Sequence, residues 1–517
     1  MKSVLVAIPA WMMIGLSNPV YAVDKCEAVF GGMLKFQYET KEVMDVSRTA
    51  KVRTFTTSPT TTEDIQDAIA YSKNNGLKIT VKGTNHSHGG HNRRHQDKIG
   101  KPQAIQLDML RFNKIIRLDK ENLEVTIQAG VIWKDLSIFL DREGLAAKTE
   151  QSSNIFSIGG SVATNIHGRD IHGPLANSIK EIKFIDGNGV ERVVNRANDL
   201  QTFRALIGGY GGLGVITEVT LKVEKNYLYK AQSVQNVSVA DYIDYIKTLS
   251  EKPDDRMNYV RVNISVKSAF TKMSYVEWVP ISDESESPNW KGWQLNLVEK
   301  NRWVSSLIMN LMRYKPTSNF GKAVKDFMDK FFGLPKTGTH KTKNNILNNP
   351  VQFLFDNFYN QKRSVDILQE YFIPAEELQT FLFSLKNTTE KNQLDLMNVT
   401  MRYIPKIERE QDGLLSPYSD KQDLIAIVLY FNIQEDGNLN NGDLVEYNGS
   451  KWTQELISSA QKLGGTFYWP YHRWWSNEQI THNQKENIQK YFKIKDELDP
   501  LNIFESDFMH HLRRAQD

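Results

Sequence analysis

A single cysteine stands in 517 residues. Cys26 has no second thiol to pair with, so an intrachain disulfide is excluded and stability has to come from burial. A charge bias is also lacking: 64 basic and 61 acidic side chains leave a formal charge of +3, with no long run of Lys or Arg. That balance argues against a nucleic-acid partner. Beyond the N-terminus no apolar run approaches the ~20 residues that cross a bilayer. What is present is an ordinary globular composition, 40% hydrophobic and 24% charged, in a chain long enough for two or more domains.

The first 22 residues, MKSVLVAIPAWMMIGLSNPVYA, have a basic start at Lys2, an apolar run from Val4 to Leu16 and a small-residue site at Val20-Tyr21-Ala22. They read as a secretory signal peptide cleaved near Ala22, with an N-terminal anchor helix as the alternative; the mature protein is expected to be secreted or periplasmic. No lipid-attachment pattern precedes Cys26.

Thr60-Thr61-Thr62-Glu63 reads as a capping box, followed by Ile65, Ala68 and Ile69 at helical spacing and closed by Gly76. Strands are expected at Leu77–Val81, AIQLDM, LEVTIQAG and GVITEVTLKV, a helix through Trp133, Leu136 and Leu140, and a hairpin turning on Asn188-Gly189. This first unit is α+β and closes near Val223. The second half has a helix around Tyr242–Leu249, a polar insertion SDESESP and a loop rich in Lys, Thr and Asn at 336–350. It also holds strand-like runs MNVTMRYI and DLIAIVLYFNI. The apolar stretch WVSSLIMNLM at 303–312 reads as a core helix or as a surface helix resting on a membrane. EDGNLNNGD resembles a calcium loop in composition, but Asn441 stands where such a loop needs glycine, so it reads as a solvated turn.

Chemistry concentrates in three glycine-rich stretches. ITVKGTNHSHGGHNRRH carries four of the eleven histidines within ten residues. In it Gly83, Gly89 and Gly90 permit close backbone approach, and Ser87 adds a hydroxyl donor, which suits a pyrophosphate. SIGGSVATNIHG ends at Gly168, and GGYGGLG runs from Gly208 into the strand VITEVTL. Three such loops suit a large, phosphate-bearing, partly planar ligand. Neither the Walker pattern nor the dinucleotide fingerprint of a Rossmann domain is matched.

KGTNHSHGG, SIGGSVATNIHG and FRALIGGYGGLGVITEV, in this order and spacing, resemble the FAD-binding domain of the vanillyl-alcohol oxidase and p-cresol methylhydroxylase superfamily. The likeness is nearest to the sugar-lactone oxidases and the decaprenylphosphoryl-ribose oxidase group. It covers roughly 50–225. More loosely, LQEYFIP, GGTFYWPYHR and DPLNIFESDF resemble a cap-domain strand, an active-site strand and a C-terminal segment that returns to the flavin. The resemblance implies an α+β fold in four parts: the signal peptide at 1–22, a p-cresol-methylhydroxylase-type FAD domain at 50–225, an α+β cap at 226–455, and a returning segment at 456–517.

It also implies the site. FAD would be held by Gly83, Thr84, Asn85, His86, Ser87 and Gly90, by Ile158, Gly159, Gly160, Ala163, Thr164, His167 and Gly168, and by Gly214, Val215 and Ile216. His86 stands where relatives bond covalently to the isoalloxazine ring, with noncovalent FAD the alternative. His167 would pack beside the flavin. Catalytic candidates are Glu370 as base, Tyr471 and His472, and Arg402 as an orienting charge; a lysine stands at the Tyr471 position in the ribose oxidase group, which argues against the same substrate. The expected activity is oxidation of an alcohol carbon of a sugar, lactone or polyol to a carbonyl, with dioxygen or another acceptor reoxidising the flavin. Two other classes compete: a catalytically silent flavin-binding protein, and a periplasmic metal-binding protein built on His86, His88, His91 and His95. Visible flavin colour, and its bleaching by an alcohol, separate the three.

Overall fold

The structure, a computed structural model, describes residues 25–30, 33–44, 46, 51–95, 103–249, 256–266, 269–281, 295–296, 302–329, 334–348, 364–434 and 449–516. The signal-peptide segment, SDESESP and the calcium-like segment at 435–443 lie outside these residues.

Three sheets organise the described residues. The first has the order β1-β2-β3-β5-β4, built from β1 (Lys25–Phe30), β2 (Met33–Met44), β3 (Lys51–Thr57), β4 (Lys78–Lys82) and β5 (Ala104–Asp108). β5 runs parallel to both β3 and β4, a pairing that needs a crossover, and the helix Thr62–Asn75 supplies one. That helix buries Ile65, Ala68 and Ile69 against Ile79, Ile105 and Leu107. Its cap sits one residue later than the sequence pattern suggests: Thr61 Oγ1 accepts from the Asp64 amide, while Asp64 Oδ2 accepts from the Thr60 and Thr61 amides at 2.8 and 3.0 Å. The shorter carboxylate at 64, not Glu63, reaches back to both donors.

The second sheet runs β10-β9-β11-β7-β6, with β6 (Ile115–Asp119), β7 (Glu124–Gln128), β9 (Ile179–Asp186), β10 (Glu191–Asn195) and the central β11 (Gly214–Lys225); β8 (Leu145–Ala147) joins the far end of β11. Every pairing in it is antiparallel. The helices Trp133–Arg142 and Ile158–Thr164 lie on this sheet and are tied together by Trp133 Nε1, which donates to Ser161 Oγ at 2.9 Å.

The third sheet is an eight-stranded antiparallel wall, β15-β12-β14-β13-β17-β18-β16-β19. Its strands are β12 (Leu228–Val237), β13 (Met257–Val262), β14 (Met273–Pro280), β15 (His340–Thr342), β16 (Ser364–Pro374), β17 (Asp395–Ile404), β18 (Leu424–Gln434) and β19 (Thr466–Phe467). β15 and the helix Lys343–Leu347 fall where the sequence suggested only a polar loop. There Lys343, fully buried, pairs with Glu224, and Thr342 Oγ1 caps the helix by accepting from the Asn345 amide. WVSSLIMNLM lies in the helix Arg302–Arg313, which packs on the wall and is anchored by Arg313, whose Nε donates to Asp366 at 3.1 Å. Among the described residues no helix is long and apolar enough to cross a membrane.

The C-terminal end closes on the first sheet. The Ile79 amide donates to the Ile503 carbonyl at 2.6 Å, and Ile503 and Phe504 fill the core beneath Ile79.

Candidate active site

A cavity of about 1250 Å³ opens between the glycine loops and the third sheet. Ligand pockets commonly measure about 300–1,000 Å³, so the space suits a dinucleotide together with a substrate. One side is backbone-rich: Gly83 to His88 from the turn after β4, Gly159, Gly160, Ala163 and Thr164 from the short helix, and Gly211, Gly214 and Ile216 from the turn into β11. The opposite side is set by strand register. Glu370 on β16 faces Val428 on β18, which faces Thr400 on β17; the next row is Leu368, Tyr430 and Asn398. All six line the cavity, as alternation on a pleated sheet requires. The helix Arg302–Arg313 closes another wall with Val304, Ser305, Ile308, Met309 and Met312.

The loops meet more closely than any side chain at 83 would allow. A Cβ on Gly83 would lie 2.0 Å from Ser157 Oγ, so glycine is what lets the first loop seat against the second. Asn85 takes φ +63°, a left-handed conformation that asparagine tolerates, and its Oδ1 accepts from Asn92 Nδ2 at 2.6 Å. The third loop is pinned from the C-terminal helix Lys485–Leu498: Tyr491 Oη donates to the Gly209 carbonyl at 2.7 Å and Lys495 Nζ to that of Gly212 at 2.6 Å. Backbone so exposed and so braced fits a pyrophosphate-bearing cofactor.

The four histidines of the first loop separate. His86 lines the cavity, edge-on to Phe156 at 5.2 Å and with Nδ1 3.1 Å from Thr84 Oγ1; burial pulls its pKa down to about 4. His88 sits against the rings of Tyr471 and His472. His91, half-buried, packs on Phe508 and Tyr210 at the cavity wall, and desolvation lowers its pKa to about 3. His95 instead joins Asp507 and His511, whose ligand-type atoms lie within 4.8 Å of one another. The Asp507 carboxylate is already shared by Arg93 at 2.6 Å and Arg473 at 2.5 Å, two positive charges that a metal ion would have to outcompete.

The acid–base group lies where the two sides meet. His167 Nε2 is 2.6 Å from Glu370 Oε1. Tyr471 also hydrogen-bonds Glu370, and burial together with that carboxylate pushes its phenol well above its ordinary pKa, so it stays a donor. The other ring nitrogen, Nδ1, is buried and has no hydrogen-bond partner among the described residues. Phe372, Tyr418 and Tyr468 surround the ring edge-on at 5.7, 6.1 and 6.2 Å. Arg402 reaches Ser152 Oγ and, at 3.5 Å, the His167 carbonyl.

Of the expected site residues, Gly83, Thr84, Asn85, His86, Ser87, Gly159, Gly160, Ala163, Thr164, His167, Gly214, Ile216, Glu370, Arg402 and Tyr471 line the cavity. The others do not. Gly90 is packed against Asp507, Ile158 and Val215 point into the two cores, and Gly168 is packed against Asp170. His472, next to Tyr471, is buried and packs on Trp474 with a contact to the Leu368 backbone. The stretch read as an active-site strand is strand only at Thr466–Phe467. Beyond it Tyr468 Oη donates to the Thr164 carbonyl, which holds the chain in an irregular path along the cavity. Arg169, Arg261, Tyr468, Tyr491 and Lys495 were not singled out from sequence. Two had a local signal: Arg169 stands two residues after His167, and Tyr468 lies within GGTFYWPYHR.

A backbone-rich cradle facing a buried carboxylate–imidazole pair suits an FAD-dependent oxidoreductase. The comparisons agree. Residues 54–195 match the family model of an FAD binding domain. L-gulonolactone oxidase of Bos taurus is 23% identical over 457 residues, 86% of this chain and 92% of that protein. That of Mus musculus is 27% identical over 165 residues, 32% of this chain and 36% of that protein, so the match spans about a third of its length. Among solved structures, a solvent-stable cholesterol oxidase superposes with a TM-score of 0.70 at 15% identity, covering 92% of this chain and 97% of that one. Residues 54–195 thus form an FAD-binding domain, the chain shares the fold of a cholesterol oxidase, and lactone oxidases are among the proteins similar to it.

Proposed function

We propose that this protein is an exported enzyme that oxidises an alcohol carbon of a sugar-, lactone- or polyol-like substrate to a carbonyl. The observation that carries the reading is Glu370, facing the cavity with His167 and Tyr471 hydrogen-bonded to it. The glycine loops would hold FAD, which when bound would supply a two-electron acceptor for the carbinol hydride, with dioxygen or another acceptor as the final oxidant. The chain's own part is the proton. Glu370 accepts it from the substrate hydroxyl, while His167 and Tyr471, both in hydrogen-bond contact with its carboxyl group, orient it. Arg402 fixes the His167 backbone, and the apolar wall of Ile308, Met309 and Met312 excludes water.

His86 is our candidate for a covalent bond to the flavin, supported by an imidazole that burial keeps neutral and by the adjacent Thr84 hydroxyl. Export rests on the sequence of residues 1–22, and the four-part domain division on the motif order. Contact with a membrane surface is supported by Leu307, Phe320 and Phe327, exposed on the helices Arg302–Arg313 and Ser318–Met328, and by Tyr314, exposed in the turn between them.

The test is anaerobic mixing of the purified yellow protein with sugar lactones, alditols and simple polyols, following the flavin absorbance. Bleaching by an alcohol supports the reading. A protein that is yellow yet reduced by dithionite alone would be a silent flavin-binding module.

A further inference from the structure

The cavity is lined by six basic side chains, Lys82, Arg169, Arg261, Lys325, Lys341 and Arg402, against two acidic ones, Asp329 and Glu370. Lys82 is neutralised by Asp108 at 2.7 Å. Arg261 and Lys325 share one carboxylate, Asp329. Arg169 and Arg402 have no carboxylate within ion-pair distance among the described residues. The Arg169 guanidinium lies 4.4 Å over the Tyr259 ring and reaches the Ile346 carbonyl only at 3.5 Å, and Arg402 contacts neutral oxygens alone.

Register brings three of these together. Arg261 on β13 pairs directly with Thr400 on β17, and Arg402 is two residues along the same face. Arg169 stands over Tyr259, two residues before Arg261. So three guanidinium groups, from two adjacent strands and the His167 loop, converge on one end of the cavity with a single shared carboxylate between them. Holding such charges together without an anion costs desolvation and mutual repulsion. The glycine loops form the other side, so a cofactor pyrophosphate seated on them leaves this cluster unmatched.

Building on the alcohol oxidation proposed above, we infer that the substrate carries an oxyanion, a carboxylate or a phosphate, and that Arg169, Arg261 and Arg402 bind it beside the hydroxyl that Glu370 deprotonates. Planar guanidinium groups match an oxyanion through paired, charge-assisted hydrogen bonds. Burial and the neighbouring charges of Arg402 and Arg261 already depress Arg169 to about 10, a strain that an anion relieves.

Two measurements on the holoenzyme test this. In the first, inorganic phosphate and sodium acetate are each titrated into the oxidised protein while the flavin spectrum is recorded. A saturable perturbation is expected, weakened about tenfold or more in Arg169→Met and partly restored in Arg169→Lys. In the second, anaerobic flavin reduction is compared for the pairs glycerol and glycerol 3-phosphate, and propane-1,2-diol and lactate. The anionic member should have the larger kcat/KM in at least one pair, and Arg169→Met should lower the anionic-to-neutral ratio about tenfold. No saturable spectral response, or a neutral preference unaffected by the variant, overturns the inference, as does loss of FAD content in Arg169→Met, which would assign the charge to the cofactor. Failure of every alcohol to reduce the flavin sinks the alcohol-oxidase reading instead, and the anion titration still decides the subsite.

Discussion

His167 Nε2 sits 2.6 Å from Glu370 Oε1, with the two side chains 4% and 2% exposed. The contact fixes the orientation of the carboxyl group, whose other side faces Tyr471 and the cavity. Replacing Glu370 by Gln removes the proton acceptor while keeping the shape. Flavin reduction should slow by about 10²–10⁴-fold with little change in substrate affinity, read by anaerobic stopped-flow at several substrate concentrations. If only affinity suffers, Glu370 merely positions the substrate. His167→Asn should slow reduction less, because Tyr471 still orients the carboxylate.

The imidazole of His86 is kept neutral by burial, with a pKa near 4, and therefore offers a nitrogen lone pair at neutral pH. In His86→Ala the flavin should pass into the supernatant after acid precipitation, whereas in the parent protein it should stay with the pellet. Flavin that remains attached to the Ala variant would refute the assignment to His86.

Much of the cradle was legible because glycine signals are local: each loop announces itself within a dozen residues, and the turns at Gly76 and Gly189 do the same. The acid–base pair was only half legible. Glu370 and His167 each stood out, but 203 residues separate them and no spacing rule joins them. Arg169 and Lys495 escaped notice for another reason. A lone basic residue in a polar stretch looks solvated, and only the tertiary fold shows Arg169 on a cavity wall and Lys495 buried on the Gly212 and Phe504 carbonyls. The run GGTFYWPYHR reads as a strand only through its resemblance to the family, and a loose resemblance does not fix where pairing stops: the chain leaves the sheet after Phe467, and Tyr468 donates to the Thr164 carbonyl.

Gly83 gives a packing test of the cradle. An added methyl would meet Ser157 Oγ at 2.0 Å and Ser157 Cβ at 3.0 Å, so the two loops must part. Gly83→Ala is expected to lose about 1–3 kcal/mol of stability through overpacking and to bind less FAD per protein. Adding Ser157→Gly removes the obstructing atoms, so the double variant should recover much of the melting temperature and flavin content. A Gly83→Ala protein with full flavin occupancy would show that the loops do not need this contact.

Acid sensitivity follows from three histidines that burial keeps neutral: His86 near 4, His91 near 3 and His472 near 3. Unfolded, each titrates at about 6.5. Between those values the unfolded chain binds more protons than the folded one, so their stabilisation is complete above about pH 6.5 and is lost as pH falls toward 3. Each contributes a slope of up to about 1.4 kcal/mol per pH unit. Glu150 works in the opposite direction. Burial raises it to about 8, so its contribution is full below its unfolded value of about 4.5 and disappears as pH rises through 8. The parent profile blends the two, and single variants separate them. In chemical denaturation across pH 4–8, His91→Phe should lose less stability on acidification than the parent, and Glu150→Gln should lose less on alkalinisation. Profiles parallel to the parent's in both variants would mean that neither group changes its proton occupancy on folding.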